Sequence, residues 1–600
     1  MAQPIADRRD VDFVLHEQLN VTQLTENDLF ADFNKKTVDM IVSEARSLAI
    51  KEIMPTQQAG DAGCVFESGK VTLPESFKRP WDLFMDGDWL GMSDDPEWGG
   101  GGMPKTVALA ASEYFQGANV AFMLYHGLTH GAAKMIEEIG NEEQKKQCLK
   151  NLYSGKWAGT MLLTEACAGS DVGALETVAE KNADGTYSIV GNKIFISGGE
   201  HTMTENIIHP VLARIKGAPE GTRGISLFLV PKFRINSDGS LGEFNDVICT
   251  GIEHKMGING SATCSLTLGG SGNCIGTLLG EENKGMRSMF IMMNDARQLV
   301  GLQGFAVATT SYMHALAYAR ERIQGANMMK PKDGGVPIIQ HPDVRRQLLE
   351  MKSLVEGMRS LIYFSGMCHD RIKLAANETE KLEYSELLEI LTPIIKGYIT
   401  DKANEVCSHG VQVYGGYGFC KDFPVEQLLR DSRIFQIYEG TNGIQSMDLL
   451  GRKIGMNKGK PFMGFLGRIK EAIDNAKKIQ GLEAMAAKAE KTYTLYTEVV
   501  GEMAKAAMGE KVLNAFAQSH PLLTVTGDLT MAWMLLWRAA VAKEALGKAK
   551  GKDAAFYEGQ IKTCEYFVNN TLFVTDGRLN AIKNMDGAVI EISEDAFGTK

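Results

Sequence analysis

The sequence predicts an α+β multidomain chain: an N-terminal α-helical domain, a middle β domain, a C-terminal α-helical domain and an additional C-terminal helical domain. Three observations carry that expectation. Apolar residues recur at helical spacing from about residue 36 to 157, short β-branched or alternating runs fill about 158–280, and long helical patterns resume from 281 to the end. A chain of 600 residues is also too long for one hydrophobic core, at roughly 100–200 residues per domain.

Residues 1–35 read as an N-terminal extension. In the first helical region (36–157), Val38, Ile41, Ala45 and Leu48 recur at steps of three and four, which predicts one shared face. The run Gly99 to Gly102 punctuates that region as a loop. It is not a nicotinamide-binding turn, because no strand precedes it and no βαβ unit surrounds it. Between 158 and 280 the runs Tyr187–Val190, Ile194–Ser197, Ile225–Val230 and Ser265–Leu268 alternate with Gly, Asn and Asp turns and predict a compact β domain. From 281 to 455 helices are expected over Met286–Ala319, Val344–His369 and Tyr384–Gly410. Residues 456–600 predict four more, near 461–480, 483–508, 525–549 and 553–575, as a bundle packed on the rest or on another subunit. Gly455, Gly459 and Pro461 mark a short connection into this block.

The charge balance excludes some functions. Sixty-three basic against seventy-four acidic side chains give a net charge of −11, which disfavours a general polyanion binder and predicts no nucleic-acid partner. Block 456–600 carries 19 Lys/Arg against 17 Asp/Glu, so it is neither a basic surface nor an acidic tail. The ten cysteines are scattered without a CxxC pair and read as reduced thiols. The N-terminus is charged from Arg8 to Asp12 and has no signal-peptide core, so a cytoplasmic protein is expected. The most apolar run, Thr530 to Ala542, is shorter than the roughly 20 residues of a spanning helix and contains Arg538; it predicts a buried helix and no membrane span. His126 and His130 stand at metal-ligand spacing on a helix. They lack the glutamate of an HExxH motif and a third ligand, so no metal site is predicted.

Glu439 lies in IFQIYEGTNGIQ (434–445), between an aromatic residue and a Gly-Thr turn. A carboxylate so placed can be a base or simply a surface residue before a turn. Three further segments accompany it in order: MLLTEACAGSD (161–171), GNKIFISGGEH (191–201) and GVQVYGGYGFCKDFPVEQLLRD (410–431). Together the four segments resemble the acyl-CoA dehydrogenase family over roughly residues 40 to 450. Chain length, the opening DVDFVLHEQLN, the segment EHKMGINGSAT and the ending YEGTNGIQSMDLLGRK resemble its long bacterial branch, which contains the 3-methylmercaptopropionyl-CoA dehydrogenases.

The resemblance implies a helix, sheet, helix order in which the C-terminal domain is a four-helix bundle. It also implies FAD as cofactor and α,β-dehydrogenation of an acyl-CoA thioester to the trans-2-enoyl-CoA. Hydride needs an acceptor that side chains do not provide and a flavin does. Glu439 would take the α proton while the β hydride passes to flavin N5. Desolvation raises a carboxylate's pKa toward that needed by a general base. The developing charge on the thioester oxygen would be held by the Glu439 backbone N–H and a ribityl hydroxyl. Some members carry the base at the position of Ala296, where this chain has no carboxylate; Asp295 is about 100° away around the helix.

For the cofactor, the resemblance assigns Leu163, Thr164, Gly169 and Ser170 from the LLTEACAGSD turn, although Ala166 and Cys167 stand where common members have proline and glycine. It assigns Phe195 and Ser197 in place of the usual tryptophan and threonine; Phe195 read without the neighbouring motifs is a core strand residue. Arg322 matches a pyrophosphate arginine, Gln412, Gly415 and Gly416 an adenosine-side segment, and Thr441 a contact beside the base. The usual Phe-Gly after that arginine is missing, since the chain reads Arg322-Ile323-Gln324-Gly325. Ser170, Arg297, Tyr438 and Gly440 are implied on the thioester side, with a helix-surface salt bridge as the alternative for Arg297. The family pattern implies electron-transferring flavoprotein as acceptor and a homodimer or higher homo-oligomer. Two rival readings are an acyl-CoA oxidase that uses oxygen and a non-catalytic DNA-binding member of the same scaffold.

Overall fold

The computed structural model describes residues 4–598. The chain divides into two compact units, Asp39–Met103 with Tyr114–Leu299, and Met1–Val38 with Pro104–Glu113 and Val300–Lys600.

The first unit joins helices to a β domain. Helix α1 (Lys35–Leu48) buries Val38, Val42 and Ala45, continued by Ala49 in the turn that follows. That stripe keeps Val38 and Ala45 of the predicted face, while Ile41 and Leu48 lie at its half-buried edge, one position before Val42 and Ala49. A short hairpin, Val65–Glu67 with Lys70–Thr72, interrupts the helical region. Helix α2 (Val120–Ile139) starts where the Asn119 side chain accepts from the Phe122 N–H, and α3 (Glu142–Tyr153) starts on an Asn141/Gln144 capping box. His130 on α2 lies 2.7 Å from the Asp94 carboxylate and His126 lies 3.3 Å from the Leu90 carbonyl.

The β domain is an eight-stranded sheet of β1 (Trp157–Gly159), β2 (Val178–Lys181), β3 (Tyr187–Ser197), β4 (Asn206–Ile215), β5 (Ile225–Pro231), β6 (Val247–Ile252), β7 (Thr263–Leu268) and β8 (Ile275–Leu278). Its order is β6-β7-β3-β8-β5-β4-β1, and β2 pairs with both β3 and β4. Helix α2 lies so close on β1 that a Cβ at Gly159 would come within 2.5 Å of the Ala132 methyl. The two runs predicted at Tyr187–Val190 and Ile194–Ser197 are one strand, β3, with a bulge between β3 and β7.

Helix α4 (Gly285–Glu321) opens in this unit and continues into the second. Its Met289 and Met292 are buried. In the second unit α4 is followed by an exposed hairpin, Ile323–Asn327 with Lys330–Pro337. Then come α5 (Pro342–Leu374) and α6 (Glu378–Pro393), which runs through a π-helical turn at Ile394–Tyr398 into α7 (Ile399–Tyr414). Helix α8 (Pro424–Ser432) leads to a short 3-10 turn, Arg433–Gln436, and α9 (Asn442–Asp448) follows. The additional block is α10 (Lys460–Lys477), α11 (Glu483–Ala506), α12 (Ser519–Leu546) and α13 (Gly551–Asn584).

This block packs on the bundle. The Phe364 and Trp533 rings meet at 5.3 Å, and a Cβ at Gly527 would come within 2.0 Å of the Tyr398 ring. The N-terminal segment is equally embedded, with Ile5, Val11, Phe13, Val14 and Leu15 all buried. Its Asp10 is buried against Arg359 of α5 and Arg538 of α12, and Arg359 also holds Glu113 at 2.6 Å. Among the described residues no helix is long and apolar enough to cross a membrane. All ten cysteines are unpaired.

Candidate active site

The loop that carries Glu439 is built by a backbone reversal. Glu439 (φ +58°) and Gly440 (φ +81°) are both left-handed, a conformation that costs a non-glycine residue about 1–3 kcal/mol and persists where its surroundings over-determine it. Thr441 then caps α9 by accepting from the Ile444 N–H at 3.2 Å. Gln445, fully buried, donates through Nε2 to the Gly440 carbonyl at 3.3 Å and to the Glu439 carbonyl at 3.5 Å. Before the reversal, the Tyr438 hydroxyl donates to Gln303 Oε1 of α4 at 2.5 Å. Burial, then the Glu439 charge beside it, pushes the Tyr438 hydroxyl well above its ordinary pKa. Glu439 itself is half-buried.

One carboxylate ties both ends of this loop. Asp401 Oδ1 of α7 accepts from Gln436 Nε2 at 2.8 Å and from Asn442 Nδ2 at 2.7 Å. Asn442 is anchored further by the Gly397 carbonyl, Thr400 and the buried Lys396.

On the same unit, Arg322 at the end of α4 is exposed and its guanidinium lies 5.6 Å over the Tyr417 ring. Tyr318 and Tyr414 stack at 4.1 Å, so the structure brings Arg322 beside the segment of Gln412, Gly415 and Gly416. Gly415 has φ +62° as the C-cap of α7, and neither Gly415 nor Gly416 has a neighbour within 4 Å of a built Cβ. An exposed arginine fork beside open glycines suits a phosphate-bearing ligand. The chain after Arg322 becomes the hairpin, and the Gln324 carbonyl is taken by His341 at 2.7 Å.

The other group of residues lies in the β-containing unit. The Leu163 and Thr164 carbonyls accept from Lys193 Nζ and the Ile194 N–H, both at 3.0 Å, which lays this segment along β3. Glu165 and Ala168 exchange backbone hydrogen bonds around Ala166 and Cys167, a two-residue hairpin turn. Burial raises the Glu165 carboxyl, but Lys193 at 2.7 Å, the Thr177 hydroxyl and the Glu176 N–H hold it below the usual carboxylate range. Gly169 and Ser170 follow this anchored turn, both exposed, and a Cβ at Gly169 would meet nothing within 4 Å.

Phe195 is no core residue. The bulge sets Ile194 and Phe195 opposite Ser265 alone, Phe195 takes φ +58°, and the residue is 59% exposed. Ser197, half-buried, pairs with Thr263 of β7, whose buried hydroxyl has no protein partner. An outward aromatic face, hydroxyls at Thr164 and Ser197 and an open Gly-Ser turn together fit a flat, hydrogen-bonding ring system with a phosphate tail. These residues therefore fit the flavin that the family resemblance implies.

Arg297 is buried, 5.9 Å from the Phe290 ring, and is not on a helix surface. Asp295 faces α2: burial first, then the Asp295 charge, raises the Glu138 carboxyl. Gln303, Asp401 and His520, whose Nε2 lies 3.1 Å from Asp401 Oδ2, bear on the Glu439 loop and escape sequence reasoning. Only Gln303 left a trace, since it lies seven residues, two helical turns, after Ala296 on the same face.

Four family matches cover the chain in order: Acyl-CoA dehydrogenase, N-terminal domain, over residues 35–156; Acyl-CoA dehydrogenase, middle domain, over 160–270; Acyl-CoA dehydrogenase, C-terminal domain, over 283–454; and Acetyl-CoA dehydrogenase C-terminal like, over 465–593. A 3-methylmercaptopropionyl-CoA dehydrogenase of Ruegeria pomeroyi is 39% identical over 569 residues, spanning 94% of this chain and 95% of the relative. A broad-specificity linear acyl-CoA dehydrogenase of Mycobacterium tuberculosis is 35% identical, spanning 98% of this chain and 99% of the relative. Among solved structures, an acyl-CoA dehydrogenase complexed with FAD from Bacillus anthracis matches with a TM-score of 0.72 over 93% of this chain and 89% of its own. At 22% identity that likeness concerns the fold.

Proposed function

The chain belongs to the acyl-CoA dehydrogenase family, and from that premise we propose that Glu439 removes the α proton of an acyl-CoA thioester during its conversion to the trans-2-enoyl-CoA. The protein is an FAD-dependent acyl-CoA dehydrogenase, and FAD, when bound, supplies the acceptor for the hydride that leaves the β carbon. Leu163, Thr164, Gly169, Ser170, Phe195 and Ser197 hold the ring end of the cofactor, and Arg322, Gln412, Gly415, Gly416 and Thr441 its phosphate and adenosine end. Ser170, Arg297, Tyr438 and Gly440 lie on the thioester side.

The observation that carries this reading is the left-handed Glu439–Gly440 pair, braced by Gln445, Thr441 and the Tyr438–Gln303 bond. The bonds that hold this strained turn fix the backbone that carries the carboxylate, and fixed placement supplies much of a base's effectiveness. Glu439 then acts through two groups: its carboxylate accepts the proton, and its backbone N–H stabilises charge on the thioester oxygen. Electrons leave to electron-transferring flavoprotein, and a homodimer or higher homo-oligomer in the cytoplasm completes the reading.

The test is Glu439→Gln in the purified, FAD-loaded protein, offered a panel of acyl-CoA thioesters without oxygen. Wild-type flavin should bleach with at least one thioester. In the variant the bleaching rate should fall by roughly 10²–10⁴, the usual worth of a positioned base, with FAD content unchanged. Unchanged bleaching in the variant overturns the assignment. Adding oxygen and the flavoprotein acceptor separately to the bleached enzyme identifies which one takes the electrons.

A further inference from the structure

We propose that His520, in the first turn of α12 in the additional helical block, is a positioning residue for the Glu439 loop and acts on it through Asp401. This rests on the reading of Glu439 as the base.

The segment from 437 to 441 is bracketed by Gln436 and Asn442, and both donate to the same oxygen of Asp401, at 2.8 and 2.7 Å. The other oxygen, Oδ2, lies 3.1 Å from His520 Nε2 of α12. The three contacts form a branched relay that runs from the additional block, through a carboxylate on α7, to each end of the loop. A second stitch runs beside it, where the Ser519 and Ser446 hydroxyls meet at 3.0 Å. The Leu523 side chain covers Gly397, whose carbonyl accepts from Asn442. Residues 519–523 therefore back the loop from one helix end.

The charges make the relay directional. Burial raises the Asp401 carboxyl, yet the contacts from His520, Asn442 and Gln436 hold it below its usual range. The hydrogen bond to Asp401 outweighs burial and raises His520 above its ordinary pKa. Asp401 is the charged group facing His520. Gln436 and Asn442 are neutral, and Lys396 bonds Asn442 Oδ1 at 2.8 Å. A carboxylate with the His520 imidazole on one oxygen and two neutral donors on the other is held in one rotamer, as carboxylates are that orient catalytic groups from behind. Without His520, Asp401 keeps only the two loop donors and its freedom to turn is passed to them. Small misplacements of a catalytic group cost up to about 10²-fold in rate. The additional block thus serves the chemistry by bracing the base from behind.

The experiment compares His520→Ala, His520→Gln and Glu439→Gln in the FAD-loaded full chain. His520 is 48% exposed, so its truncation leaves no buried hole. In His520→Ala the maximal rate of flavin bleaching should fall about tenfold with KM for the thioester and FAD content unchanged, and backbone amides of residues 436–442 should exchange hydrogen faster. His520→Gln, which keeps a donor for Asp401, should recover most of the rate and the protection. Three results overturn the proposal: a wild-type rate in His520→Ala, an equal loss in both His520 variants, or loss of FAD or of the fold in both. If Glu439→Gln bleaches normally, the reading of the base fails instead, whatever the His520 variants do.

Discussion

The Tyr438 hydroxyl donates to Gln303 Oε1 across 2.5 Å, so the residue before the candidate base is fastened to the middle of α4. Gln303 is buried, and this makes the two single variants predictable. Tyr438→Phe strands the Gln303 amide oxygen and should lower unfolding stability by about 1–3 kcal/mol, the cost of a buried acceptor without a donor. Pairing it with Gln303→Leu removes both polar groups, and the double variant should lie closer to wild type than the two single losses summed. Urea unfolding of the four proteins measures the coupling; strict additivity would refute it.

Phe195 offers a separation of cofactor binding from fold stability. At φ +58° an L side chain costs about 1–2 kcal/mol relative to the right-handed region, whereas glycine has no such penalty but loses roughly 0.5–1 kcal/mol through its freer unfolded chain. Phe195→Gly should therefore leave apoprotein stability within about 1 kcal/mol of wild type or slightly above it. Its FAD dissociation constant should rise roughly two- to tenfold, the worth of one aromatic face at about 0.5–1.5 kcal/mol. Calorimetric FAD titration and thermal unfolding of the apoprotein read the two quantities separately. A large loss of apoprotein stability would mean that the ring packs within the protein.

The succession of helical and β regions is legible in the sequence because burying one face of an element leaves a periodic trace. Its details fail where other physics enters. Helix α12 begins at Ser519 and not near 525 as expected, because Pro521 sits in the first turn, where its missing N–H has no partner to lose. The hairpin after Arg322 is exposed, glycine-rich and without apolar alternation, so nothing marks it. The candidate base is legible because its setting is local. Asp401 and His520 are not, because they reach the loop only through packing between helices far apart in sequence. Phe195 reads by itself as a core strand residue, and only the bulge, a property of two paired strands, turns it outward.

Asp370 carries a predicted pH dependence. It reaches from α5 to the start of the helix Lys105–Ala118, where its carboxyl accepts from the Lys105 and Thr106 N–H groups and the Thr106 hydroxyl. Burial outweighs these bonds and pushes it from 3.8 to about 6. A folded value above the unfolded one gives a stabilisation fully present below pH 3.8 and lost as pH rises through about 6. Near two pKa units, at 1.36 kcal/mol each, this amounts to about 3 kcal/mol in order of magnitude. Asp370→Asn should flatten the difference in unfolding free energy between pH 5 and pH 7. An unchanged difference would show that another group carries it.

Arg538 should be a residue on which the joining of the N-terminal segment to the additional block depends. Its guanidinium bonds Asp10, the Ser360 hydroxyl at 2.9 Å and Gln560 Oε1 at 2.9 Å, and all four residues are buried. Burial alone would raise the Asp10 carboxyl, but Arg538, Arg359 and Lys352 hold it below its ordinary range, so it is ionised in the fold. Arg538→Met leaves that ion with one fewer cation in a place water does not reach, a change that costs about 3–5 kcal/mol when a buried pair is broken from one side. Asp10→Leu with Arg538→Met removes one charge of each sign and leaves Arg359 with Glu113, so the double variant should recover at least half of the loss. Urea unfolding of the single and double variants decides it. A cost below about 1 kcal/mol for Arg538→Met would mean that apolar packing, and not this ion pair, joins the two ends of the chain.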